Sequence, residues 1–168
     1  PLNVDEKSHL YLYRLIMDGR SQTGICATFS VDDYDNDVIL KHEKTRKVKE
    51  DDRTNHIITT DAQTGVVFLT YRGAKVVNEL VDKTMKAVKP EYDFTSPDGI
   101  QHTVWVIPAE YYETIENEFA KIHKLYIADG HHRAASAAKV SNQLPESEGA
   151  KYFLTTIFPA SELRIMDY

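Results

Sequence analysis

The feature that most constrains this chain is a short apolar run, residues 125–128, followed at once by Asp129, Gly130, His131, His132 and Arg133 and then by an alanine-rich stretch to Lys139. The run predicts a buried strand, Gly130 a turn, and the alanines a helix. Asp129 then stands at a strand's carboxyl end, and Asp129 to Arg133 stand at a helix amino terminus, where unpaired N–H groups and the helix dipole attract anions. Arg133 offers a planar fork for phosphate, and His131 and His132 can donate hydrogen bonds or shuttle protons. Asp129 can cap the helix, orient a histidine, or hold a cation that bridges to phosphate oxygens. An arginine and two histidines at the positive end of a helix are disfavoured unless an anion offsets them. The expected site is therefore a phosphate cradle of Gly130, His131, His132 and Arg133. The plainer alternative is a cap, a turn and a solvated first turn.

A second cluster lies upstream. Residues 38–40 read as a short strand that runs into a densely charged helix from Lys41 to Arg53. Mixed charge of this kind is commonly a solvated face with i, i+4 pairs such as Lys47 with Asp51. At the strand's end, however, His42 and Glu43 form an acid/base pair and Lys41 adds positive charge suited to phosphate, with Thr45 and Arg53 close in sequence.

The remaining pattern alternates hairpins with helices. Residues 9–17 and 24–31 read as a β-hairpin around the turn-like residues 18–21, and residues 91–95 and 101–107 as a second around Pro97, Asp98 and Gly99. His102, on the second, is either a sheet-face residue or a further site group. Four carboxylates within residues 32–37 suggest a solvated acidic turn, since the calcium-loop spacing is absent. The charged helix continues through Ile57 and Ile58 and ends before Gly65. Residues 66–71 and 152–158 read as buried strands. Residues 74–88 have helical spacing, with Val76, Val77, Leu80, Val81, Met85 and Val88 inward, and residues 108–123 form a further helix. These elements predict an α+β fold, a mixed sheet with β-hairpins and about four helices, in one domain over residues 1–168. Because the chain opens on Pro1 and closes just after a strand-like run at residues 164–168, a piece of a longer chain is expected.

A net charge of −6 repels polyanions, and no basic patch stands out, so nucleic acid is a poor candidate partner and a small molecule a better one. The single cysteine, Cys26, is expected in the core and offers no disulfide or zinc cluster. No apolar run reaches the ~18 residues of a membrane span, and a cytoplasmic location is expected. The oligomeric state is left open.

The order of His42, Glu43, Thr45, Lys49, Asp51, Asp52 and Arg53, followed by Asp129 to Arg133, resembles the uncharacterised prokaryotic family known as domain of unknown function 1015, across the whole chain. More distantly, a strand ending in Asp-Gly-His-x-Arg before a helix is similar to the ParB and sulfiredoxin superfamily with its free-serine kinases, which implies a ParB/sulfiredoxin-like core and nucleotide phosphates bound at the turn. On that resemblance Asp129 and Gly130 match the turn, His131 the phosphate-contacting histidine and Arg133 the arginine at the helix start. His132 stands where the kinases carry threonine, and His131 stands where sulfiredoxin carries its cysteine, which argues against sulfinic-acid reduction. The kinases use an upstream glutamate as base, and Glu43 is the candidate by order. The resulting expectation is a nucleotide-dependent phosphoryl transferase or hydrolase using ATP or ADP and Mg²⁺, with Asp129 as the metal ligand and Glu43, Asp129 and His131 in the chemistry. The alternatives are a nucleotide-binding regulatory module without significant turnover, ParB-like DNA binding, opposed by the acidic charge, and a metal-only hydrolase using His42, Glu43, Asp129, His131 and His132, for which no tight zinc spacing is present.

Overall fold

The computed structural model describes residues 5–164. In chain order the elements are β1 (Tyr11–Met17), β2 (Arg20–Ser30), α1 (Val31–Asp35), β3 (Ile39–Leu40), α2 (Lys47–Thr60), β4 (Val67–Tyr71), α3 (Lys75–Ala87), β5 (Tyr92–Thr95), β6 (Gln101–Val106), α4 (Tyr112–Ala120), β7 (Leu125–Asp129), α5 (His131–Gln143) and β8 (Tyr152–Pro159). The strands form one eight-stranded sheet in the order β3-β7-β4-β8-β2-β1-β6-β5. Two pairings, β3 with β7 and β4 with β8, are parallel and the rest antiparallel, so the fold is α+β with a mixed sheet, as expected.

Both hairpins form for the reason their turns suggest. Asp18 and Gly19 both have positive φ (52° and 75°), the conformation whose twist matches two paired strands. The turn is therefore two residues long and β2 begins at Arg20, earlier than the predicted Gly24. Residues 96–100 close the second hairpin, with Gly99 at φ 83°.

The core follows the strand alternation. Val67, Leu69 and Tyr71 on β4 are buried, and on β8 both alternating sets, Phe153, Thr155 and Ile157 with Thr156 and Phe158, are buried. Only a strand covered on both faces has that pattern, and β8 lies in the middle of the sheet. Cys26 is partly buried on β2, and burial pushes its thiol pKa up.

Three expectations need correction. The acidic residues after Ser30 are not a turn but the helix α1, which makes five α-helices instead of about four among the described residues. The Ser30 hydroxyl accepts from the Asp32 amide at 3.0 Å, and Asp32 and Asp33 in the first turn are favoured by the dipole. The charged helix starts at Lys47, not Lys41, because residues 41–46 are drawn into an irregular segment held to α5; Asp51 likewise pairs with Lys139 of α5 rather than with Lys47. Val76 of α3 is exposed, whereas Val77 is fully buried, so the inward face is narrower than the spacing implied. Of the strand-like run at residues 164–168, Arg164 has no regular structure and the rest lies outside the described residues.

Candidate active site

β7 ends at Asp129, the chain reverses at Gly130 with φ 92° and ψ 28°, and α5 starts at His131. A left-handed conformation is what glycine adopts without penalty. A Cβ at Gly130 would also come within 2.8 Å of the Arg133 Nε, so the bare backbone leaves room for the guanidinium to fold back. There Arg133 pairs with the Asp129 carboxylate, so Asp129 does not cap the helix. The first helical bond runs from the Ala134 amide to the Gly130 carbonyl at 3.0 Å, and the amides of His131, His132 and Arg133 have no helical partner.

The second cluster arrives through topology. β3 is a parallel neighbour of β7, with Ile39 opposite Leu125 and Leu40 opposite Tyr126. The chain leaving Leu40 therefore continues in the direction of the β7 carboxyl end and passes over the start of α5. Along this path the His42 amide approaches the His131 Nε2 at 3.5 Å and the Arg46 amide donates to the His132 Nε2 at 3.1 Å. Glu43 Oε2 lies 3.3 Å from His131 Nδ1, and the His42 ring meets the His131 ring edge-on with centroids 4.4 Å apart. From the other side α2 packs on α5, where the Ser136 hydroxyl donates to the Glu50 carbonyl at 3.2 Å and Lys139 pairs with Asp51, while Ala134, Ala137 and Ala138 of α5 are buried in the hydrophobic core.

A cleft of about 290 Å³ lies between these parts, lined by Glu43, Arg53, Asp129, Gly130, His131, His132 and Arg133. Seven of the residues singled out in the sequence thus meet at one place. Lys41 does not: its ammonium pairs with Asp37 at 2.8 Å and lies over the Tyr34 ring. Thr45 belongs to the segment that crosses α5 but does not line the cleft, and His42 borders it through His131 and Glu43. His102 is at the opposite end of the sheet, stacked against Tyr13 and Phe94 and bonded to the Tyr13 hydroxyl at 2.7 Å, a packing role.

Sequence reading missed two contributors. Gly65 faces Arg133, where a Cβ would come within 3.1 Å of its Cδ, and Arg46 supplies the backbone donor that fixes His132. An isolated glycine before a buried strand was the available signal for the first. A backbone amide leaves none for the second.

His131 is 3% exposed, and burial lowers its pKa. Glu43 and Asp129 push the other way, while His42 and His132 reinforce the shift. The ring is thus reluctant to take a second proton. An unfolded histidine titrates near pH ~6.5. As pH falls through that value the unfolded chain gains a proton that the folded one resists, so stability is full above it and declines below. Urea unfolding in the presence of a chelator is expected to show stability falling between about pH 7 and 5, with a shallower slope in His131→Gln. Equal slopes would remove His131 as the source. The carboxylates held low by partners, Asp37 by Lys41, Asp51 by Lys139 and Asp98 by Ser96, act in a more acid window.

The architecture defined here is an α+β protein with a polar cleft at the junction of a strand and a helix amino terminus. The chain belongs to the family described as protein of unknown function (DUF1015), whose model matches residues 1–168. No curated protein and no solved structure matches it. No helix among the described residues is long and apolar enough to cross a membrane.

Proposed function

We propose that this protein is a nucleotide-dependent phosphoryl transferase or hydrolase acting on a small molecule in the cytoplasm. The observation that carries the reading is the 290 Å³ cleft in which Arg53, Arg133 and the open end of α5 face the Glu43–His131 pair. Phosphoryl transfer needs mainly positioning and charge neutralisation, and this set of groups offers both. Phosphate oxygens would take the amides of His131, His132 and Arg133 and the two guanidinium groups. Glu43 would accept the proton of an acceptor hydroxyl or water as its oxygen bonds to phosphorus and the bond to the leaving nucleotide breaks. A ParB- and sulfiredoxin-like role for the Asp129-Gly130-His131-His132-Arg133 turn would fit the same reading.

The side chains suit the cofactors this requires. Asp129 is 72% exposed, open to a Mg²⁺ ion that keeps most of its waters. A bound Mg²⁺ would neutralise phosphate charge. A cleft this size takes phosphates rather than a whole nucleotide. A neighbouring depression lined by Ile57, Gln63, Thr64, Gly65 and Val67 shares Arg53 and Arg133 but holds only about 30 Å³, so the base and ribose of ATP or ADP would lie outside both hollows.

Nucleotide at about 100 times its dissociation constant adds about 2.7 kcal/mol of stability by mass action. For a chain of this size that is a rise in Tm of about 5–10 °C. The rise is expected for ATP or ADP with Mg²⁺ and should disappear in Arg53→Ala, whose side chain is exposed. No shift with any nucleotide, with or without Mg²⁺, would overturn the phosphate site. The exposure of Glu43, at 59%, favours a second reading, a nucleotide-binding regulatory module that turns over very little. Single-turnover assays with excess protein separate the two.

A further inference from the structure

We propose that His42, Glu43 and His131 together form a binding site for a divalent first-row transition-metal ion of the Zn²⁺ or Co²⁺ class. Among the described residues these three offer donor atoms that all lie within 4.8 Å of one another. Glu43 Oε2 is 3.3 Å from His131 Nδ1, and Glu43 Oε1 is 3.8 Å from His42 Nε2. Ligands arranged tetrahedrally at the usual Zn–N and Zn–O lengths sit about 3.4 Å apart. The two contacts use different Glu43 oxygens and the three donor atoms spread over up to 4.8 Å, so closing on an ion requires a side-chain rotation, which His42, 61% exposed at the side chain, is free to make.

The donor types select the metal. Two imidazoles with one carboxylate suit zinc, cobalt or ferrous iron, whereas magnesium prefers oxygen donors and water. Three protein ligands leave a coordination position for water or a substrate oxygen, and Glu43 and His131 also line the cleft. The site differs in chemistry and position from a Mg²⁺ at Asp129, which pairs with Arg133 and is not one of the three.

Ligation needs the lone pair of His131 Nδ1. The ring proton then moves to Nε2, and the contact from the His42 amide, which at 3.5 Å is at the long limit of a hydrogen bond, is given up. This site does not rest on the phosphoryl-transfer reading. The two interact in one respect: a Glu43 carboxylate bound to an ion cannot also accept a proton, so loading the trio would oppose the proposed base.

Co²⁺ is the suitable probe because its visible absorption reports tetrahedral coordination. Chelator-treated wild-type protein titrated with Co²⁺ is expected to bind one equivalent with an intense visible band. Zn²⁺ should displace it. His42→Ala, at an exposed position in an irregular segment, should weaken binding at least about 100-fold with an unchanged circular dichroism spectrum. Asp129→Asn should bind as the wild type does. The proposal is overturned if wild-type protein takes up no stoichiometric Co²⁺, if His42→Ala binds equally well, or if Asp129→Asn removes binding. The nucleotide-induced Tm rise, measured in chelator with Mg²⁺ added in excess, reports separately on the phosphate site, so either reading can fail alone.

Discussion

Glu43→Gln is expected to lower turnover by about two to four orders of magnitude, the usual worth of a positioned general base. The substitution keeps the shape and the hydrogen-bonding reach toward His131 Nδ1, 3.3 Å away, but removes the ability to accept a proton. Glu43 is mostly exposed and a glutamine amide oxygen can still meet the buried His131 ring, so Tm should stay within a degree or two and nucleotide affinity should change little. The check is kcat under saturating nucleotide and Mg²⁺, with thermal unfolding run in parallel. A kcat within a factor of about two of wild type would remove Glu43 from the chemistry, and a matching fall in Tm would assign it a structural role instead.

The largest effect on stability is expected from Phe153→Ala, at about 3–5 kcal/mol. Phe153 is 1% exposed on the central strand β8, opposite Phe29 of β2, and its ring meets Tyr34 of α1 edge-on at 6.4 Å. Truncation would leave a void between the sheet and α1 that backbone hydrogen bonds on both sides of β8 prevent from closing. A domain is stable by only about 5–15 kcal/mol, so the variant should be close to unfolding near 37 °C. Urea denaturation gives the difference directly. A loss below about 1 kcal/mol would mean that neighbouring side chains collapse into the space after all.

The parts legible in the sequence were those whose cause is local. An apolar run, a glycine and a row of alanines specify strand, turn and helix within twenty residues, and the structure has them as β7, Gly130 and α5. Asp18-Gly19 and Pro97-Asp98-Gly99 carried the hairpins in the same way. The α1 helix was legible too, through Ser30 before Asp32 and Asp33, but four carboxylates in six positions pointed to solvent instead. Residues 41–46 were not legible. Nothing local decides between helix and irregular chain there, and their path is set by the rings of His131 and His132, almost ninety positions away. Lys41 was misjudged for a different reason, since its near neighbours in sequence, Asp37 and Tyr34, hold it before the segment reaches the cleft. That Glu43 and His131 meet depends on two residues of parallel pairing between β3 and β7, too short a stretch to announce its partner in sequence.

Of the described strands, the one latest in the chain, β8, occupies the middle of the sheet. Until β8 emerges, the nascent chain holds two separate pieces of sheet, β3-β7-β4 and β2-β1-β6-β5, with no shared edge. Each exposes an open flank, β4 on one piece and β2 on the other, that another nascent chain could pair with. Closure of this sheet therefore waits on β8, and a pause in translation just before residue 152 would hold both flanks open at once.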